Sequence, residues 1–325
     1  MAKLTRQLLA RLLPAVLGLT VIGFLVRSAG PARVLQVLAG ASSWLPLVFA
    51  LEVLQLASDV VGLRWLLRRA APVPAGTWVR SSAASYAMMI LLPAGRATGE
   101  VTRGALLARY VGAPWAATAA AQLQASYLFA NGVLSLAACI AIASLLGSRS
   151  ILVYFLAFNT CLMWILSAVL LALLRGEGAG RFIERIRKRF VRGVAAAAPL
   201  EPGARRILPW RSALTSIFSR SAQVVQYGVL VAAVGGAASV RNAFIAHGIH
   251  LVGATAGDVL PNQLGAVDAA YRGFAGVIGF ADAPARALSI AFLAHVVQLS
   301  CAAACIVVAS IIRHRAPVPS ESTAK

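Results

Sequence analysis

Six apolar runs of membrane-crossing length dominate this sequence: Leu8 to Val26, Trp44 to Leu67, Pro114 to Leu146, Ile151 to Leu174, Ser212 to Val234 and Pro284 to Ile312. A helix needs about 20 predominantly apolar residues to cross roughly 30 Å of hydrocarbon. Of the 325 residues, 60% are hydrophobic and 12% charged, far from the composition of a soluble globular domain. The expected fold class is therefore an all-α polytopic membrane protein. The net charge of +20 comes from 30 Lys and Arg against 10 Asp and Glu. Basic residues gather at the ends of apolar runs, where they act as topology and lipid signals, so no nucleic-acid partner is expected. With so few acids, each one inside an apolar run requires an explanation.

Lys3, Arg6 and Arg11 precede the first run in the manner of a secretory signal. No small-x-small cleavage site follows, and Arg27 and Arg33 come next, so the run reads as a retained membrane helix. Two further apolar segments differ in kind. Thr77 to Pro93 and Asn242 to Pro261 each run into a proline and a short glycine-containing polar stretch, then resume as a second helix-compatible piece. Counted as spans, they make eight crossings and put the 175–211 loop outside, although it carries Arg181, Arg185, Arg187, Lys188, Arg189, Arg192, Arg205 and Arg206. That arrangement violates the positive-inside rule. Read as re-entrant hairpins entering from opposite faces, they leave six spanning helices in the cell (inner) membrane. Both termini, the Arg64 to Arg80 loop and the basic loop are then cytoplasmic.

The two broken segments repeat each other. The first reads Leu92-Pro93-Ala94-Gly95-Arg96-Ala97-Thr98-Gly99-Glu100, then Arg103-Gly104; the second reads Leu260-Pro261-Asn262-Gln263-Leu264-Gly265-Ala266-Val267-Asp268, then Arg272-Gly273. The spacing from Leu-Pro to the acid is the same in both. The expected organisation is one transmembrane domain with a first repeat over 1–147 and a second over 148–313, inverted relative to the first as in many secondary transporters. Pro93, Gly95, Gly99, Pro261 and Gly265 are the expected hairpin breaks. Within the basic loop, Phe182, Ile183, Ile186 and Phe190 fall on one helical face, which suits a helix lying on the cytoplasmic leaflet or simply a topology determinant. The polar tail over 314–325 is expected to be disordered.

The Leu-Pro…Gly-Glu-x-x-Arg segment and its second copy resemble the flippase-like family that includes the membrane region of lysylphosphatidylglycerol synthase, the multiple peptide resistance factor. The resemblance covers roughly Leu8 to Arg313. It implies movement of polar or glycosylated lipids between leaflets, with membrane lipids of anionic or zwitterionic head group as partners. A separate lipid synthase or glycosyltransferase is a candidate partner. No soluble aminoacyl-transferring domain follows the last helix, so synthase activity is not expected to carry over. Asn262-Gln263-Leu264-Gly265 and Asp268 stand where the family commonly has a glycine-rich turn and a glutamate.

Glu100 and Asp268 follow helix breaks at membrane depth, where an unpaired carboxylate costs several kcal/mol. Arg103 and Arg272 lie three and four residues on, on the same helix face as their acids. Together with Arg96 they form candidate sites for a lipid phosphate and a cationic head group, aided by broken-helix N-termini. The competing reading is that each acid only stabilises the first turn of its own half-helix. Three helices carry polar stripes that lipid would not tolerate: Glu52, Gln55 and Asp59; Ser216, Arg220, Gln223 and Tyr227; Gln124, Tyr127 and Asn131. Arg220 is a candidate phosphate ligand with Glu52 or Asp59 as its resting partner; the alternative is a structural network. His247, His250, Asp258 and His295 lack metal-ligand spacing, and no metal or cofactor is expected. Cys301 and Cys305 read as small packing residues, and no serine sits in a nucleophile elbow. The expected function is a lipid flippase, with no catalytic residue and no enzyme activity. An intramembrane lipid-modifying transferase using Glu100 or Asp268 as base, and a membrane partner of a separate synthase, are the alternatives.

Overall fold

The computed structural model describes residues 16, 19–68, 72–93, 95–174 and 208–312. The amphipathic basic loop, the N-terminal start of the first run and the tail lie outside these residues. The helices are α1 (Leu19–Ala29), α2 (Pro31–Ala41), α3 (Leu45–Leu66), α4 (Ala75–Leu91), α5 (Gly95–Val111), α6 (Ala113–Leu146), α7 (Ile151–Leu173), α8 (Trp210–Ala233), α9 (Val240–Ala256), α10 (Ala266–Gly273) and α11 (Pro284–Ile311). The described residues hold no strand, and the chain is an all-α polytopic membrane protein.

Local chemistry sets most of these boundaries. Proline occupies the first turn of α2, α3, α6 and α11, where its missing N–H would have had no intrahelical partner. Ser239 caps α9 by accepting a hydrogen bond from the Asn242 backbone N–H at 3.1 Å. Gly147 closes α6 with φ 77°. Four stretches among the described residues are long and apolar enough to cross a membrane: Pro31–Leu66, Ala113–Leu146, Ile151–Leu173 and Pro284–Ile311. The 24 residues of α8 would span about 36 Å, but its polar stripe makes it far less apolar than those four. Hydropathy marks no membrane-crossing run between Arg27 and Trp44, whereas α2 lies in that interval and joins α3 through a single 3₁₀ turn, Ser42–Trp44.

The two Pro-broken segments fold as helix pairs, α4 with α5 and α9 with α10. In the first, Gly95 and Gly99 form a small-xxx-small edge on α5: a Cβ at Gly95 would lie 1.8 Å from the Met89 carbonyl oxygen, and one at Gly99 2.7 Å from that of Ser85. Such close approach is how membrane helices gain contact without a hydrophobic driving force. In the second pair the same pattern sits on the first arm, where Gly253 of α9 and its C-cap Gly257 receive Val267 and Ala266 of α10. The second break passes through Asn262 and Gln263, both at positive φ (48° and 56°), and Gly265 at 82°. The second piece after this break is a helix of 8 residues, against 17 after the first.

Contacts between elements follow a reciprocal pattern. α3 packs on α8; α4 packs on α11, and α9 on α6, so each broken pair leans on the closing helix of the other half. Gly76 and Thr77 at the start of α4, Leu106 and Tyr110 near the end of α5, and Ile312 past the end of α11 share one small recess. At the other end of α11, Pro284 and Arg286 share a cavity of about 600 Å³ with Ala29, Arg33 and the Ala233–Gly235 end of α8. The apolar core joins the halves through Val48, Ile142, Leu156, Leu230, Ile249 and Ile290.

Candidate functional site

Polar stripes on separate helices face one another because none of them can face lipid. They close around a cavity of about 560 Å³ that both chain breaks border, Gly95 and Arg96 from the first, Leu260, Asn262 and Gln263 from the second. α3 contributes Glu52, Gln55 and Asp59; α6 contributes Gln124, Tyr127 and Asn131; α8 contributes Arg220 and Gln223; α9 contributes His250. A recess sharing Asp59, Arg96 and Tyr127 extends the cavity to Glu100 and Arg103.

Two arginines from different halves meet at one ring. The guanidinium carbons of Arg96 and Arg220 each lie 3.6 Å from the Tyr127 ring centroid. An aromatic face attracts a cation by about 0.5–2 kcal/mol, more where water is excluded, so Tyr127 holds two like charges closer than they would otherwise stay. Asp59 lies within electrostatic reach of Arg96, Arg103 and Arg220, and its Oδ1 has no hydrogen-bond partner. Glu100 Oε2, Arg103 Nε, Arg220 Nε and Asn131 Oδ1 are likewise buried and unpartnered. Buried polar groups are normally satisfied; these atoms leave donors and acceptors open beside the cavity and its recess.

The expected residues divide into three groups. Arg96, Arg220, Asp59, Glu100 and Arg103 come together, with Glu100 and Arg103 paired at 3.2 Å. Glu52 borders the cavity but is already satisfied, accepting from Tyr86 Oη at 2.6 Å and Gln226 Nε2 at 2.8 Å. It is therefore not the ion-pair partner of Arg220, whose Nη1 donates to Gln223 Oε1.

Asp268 and Arg272 require the larger correction. Asp268 is fully buried and borders neither the cavity nor its recess. Its Oδ2 accepts from the Gly265 backbone N–H at 2.8 Å, stabilising the first turn of α10, and meets His295 Nε2 at 3.2 Å. The Asn262 amide nitrogen sits 3.1 Å from His295 Nδ1. An amide nitrogen only donates, so Nδ1 accepts and the Nε2 proton points at Asp268. This chain of contacts pins the strained Asn262. Arg272, half-buried on α10, is not the partner of Asp268, which is held by the Gly265 N–H and His295 instead.

Sequence reasoning also missed Tyr86, Gln226 and Asn262. Tyr86 and Gln226 could have been found as polar residues in apolar helices. Asn262 had no comparable signal, because its role depends on a backbone conformation. His250 accepts from or donates to Tyr227 Oη through Nδ1 at 2.7 Å, and Tyr227 stacks on its ring at 4.6 Å. Cys301 and Cys305 pack with Tyr86, Ala87 and Ile90.

A family model described as the lysylphosphatidylglycerol synthase TM region matches residues 11–305. No curated protein and no solved structure matches the chain.

Proposed function

This chain belongs to the family of the lysylphosphatidylglycerol synthase transmembrane region, and from that membership and its charged cavity we propose that it moves a phosphate-bearing polar lipid between leaflets of the cell membrane. The observation that carries this reading is the convergence of Arg96 and Arg220 on Tyr127 in a cavity bordered by both chain breaks. Planar guanidinium groups suit the bidentate recognition of phosphate. The acids around them are Glu52, Asp59 and Asp258 in the cavity and Glu100 in the recess, against Arg96, Arg220 and Arg103. An acid in excess of the arginines favours a head group that carries a cationic group beside its phosphate, as an aminoacylated lipid does.

The packing supports the inverted-repeat reading of the two halves. Both arms of the first hairpin end beside Ile312, at one end of α11. The second hairpin follows the end of α8 and leads back to the start of α11, at the other end. Hairpins entering from opposite faces and meeting at one polar cavity suit alternating access, in which two related halves rock about a shared site. With both termini cytoplasmic, the basic 175–211 loop stays on the side that the positive-inside rule demands.

Purified protein in phosphatidylglycerol liposomes, with fluorescent head-group-labelled phosphatidylglycerol and no soluble co-substrate, tests the reading. Movement of the label between leaflets is expected. Product formation only after an activated donor is added would instead establish a lipid-modifying transferase.

A further inference from the structure

The cavity has a second wall of opposite character. Leu162, Leu166, Val169, Leu170 and Leu173 of α7 border the same volume as Arg96 and Arg220. They recur at i, i+4, i+7, i+8 and i+11, so one face of the helix is aliphatic over about 16 Å, roughly half the hydrocarbon thickness. Three of them are well exposed: Leu166, Val169 and Leu173 at 41%, 48% and 43%. A wholly aqueous cavity would leave this row against water, at about 25 cal/mol per Å² of apolar surface.

The way α7 is attached explains this exposure. Its C-terminal half is tied to α6, with Ser167 Oγ donating to the Ala125 carbonyl at 2.8 Å and Trp164 Nε1 to the Phe129 carbonyl at 3.3 Å. Its side-chain bond to α9, Thr255 Oγ1 to Asn159 Oδ1 at 2.9 Å, comes before Leu162. Beyond it the aliphatic row of α7 looks across the cavity toward Leu251 and Ala254 of α9 and Leu260 of the second break. The row and the unpartnered polar atoms of Asp59, Asn131 and Arg220 border one volume.

We propose that this gap is a lateral slot for the acyl chain of the transported lipid, which stays against the Leu162–Leu173 row of α7 while the head group occupies the Arg96 and Arg220 wall. The occupant is fixed by the two walls together: one end must be charged, the other aliphatic and about one leaflet deep. The inference rests on the lipid-transport reading for its substrate, but not for its test.

The experiment places a photoreactive benzoyl-phenylalanine at Leu166 or Val169 on the cavity side, or at Ile165, which is 59% exposed and does not border the cavity. The full chain is reconstituted in phosphatidylglycerol vesicles bearing a clickable acyl chain. Crosslinking at all three positions is expected in the wild-type background. With Arg220→Gln, crosslinking at Leu166 and Val169 should fall at least fivefold while that at Ile165, the check on folding and insertion, is unchanged. Equal crosslinking at Leu166 with and without Arg220 would overturn the slot, since ordinary surrounding lipid would then explain it. A second variant, Leu166→Trp, should fill the gap and slow lipid movement at least tenfold, whereas Ile165→Trp should not; equal rates for the two would also overturn it. If the wild type moves no lipid but the arginine-dependent crosslinks persist, the slot stands and the transport reading falls.

Discussion

At the scale of single residues, charge is retained inside this bundle by an aromatic ring shared between two arginines and by acids set close to them. Tyr127 is the hinge of that arrangement. Tyr127→Phe keeps the aromatic face and should transport as the wild type does, while Tyr127→Leu removes it from both guanidinium groups and should slow lipid movement about tenfold, or about 1.4 kcal/mol in the barrier. Arg220→Lys keeps the charge but loses the planar fork. In liposome assays it should impair movement of phosphatidylglycerol at least tenfold, and neither protein should speed diacylglycerol beyond its spontaneous rate in protein-free liposomes. The two repeat acids, alike in sequence, should separate experimentally. Glu100 lines the recess beside the cavity, so Glu100→Gln, which keeps the side-chain shape and a hydrogen-bond acceptor for Arg103, should leave an inserted protein that loses transport. Asp268→Asn weakens a buried cap and a bond to His295; these are worth about 1 kcal/mol and about 1.5–3 kcal/mol. Its first symptom should be a lower thermal unfolding midpoint in detergent, and an unchanged midpoint with selective loss of transport would reverse this assignment.

At the scale of elements, the broken hairpins work because glycine lets two helices touch where a methyl group would hold them apart. Gly95→Ala would drive a Cβ into the Met89 carbonyl, and with backbone on both sides the α4–α5 pair must separate. We expect loss of folded protein, read by size-exclusion chromatography and thermal unfolding. Gly104→Ala on the same helix meets nothing within 4 Å and should be neutral or stabilise by up to about 1 kcal/mol, the helix-propensity difference. The pair of substitutions separates close packing from propensity, since both remove a glycine from α5. The glycine pairs Gly95/Gly99 and Gly253/Gly257 share G-x-x-x-G spacing, although only the first pair was marked from the sequence, as part of a hairpin break. Nothing local says that the first lies on the second arm of its hairpin and the second on the first arm of its own.

At the scale of the whole molecule, the proposed topology rests on charge and is open to a direct check. In a cysteine-free background, Arg149→Cys in the α6–α7 turn and Arg241→Cys at the start of α9 should react with a membrane-impermeant maleimide added outside intact cells, and Lys188→Cys should not; labelling at position 188 would reverse the orientation. Hydropathy and proline act locally, which is why the all-α membrane class, the ends of α3, α6, α7 and α11, and both chain breaks were legible in the amino-acid sequence. Helix periodicity likewise marked Glu52, Asp59, Tyr127 and Arg220 as facing inward, because a polar stripe in hydrocarbon has nowhere else to turn. Periodicity fixes a residue's angle about its own helix, however, and says nothing of which helix stands opposite. Only the packing decided that Arg96 and Arg220 share one ring, that Asp268 meets His295 from α11 and not Arg272 one turn away, and that the aliphatic row of α7 faces a charged cavity. Each of those depends on how closely helices distant in sequence approach and at what rotation, which the side chains of all of them determine together.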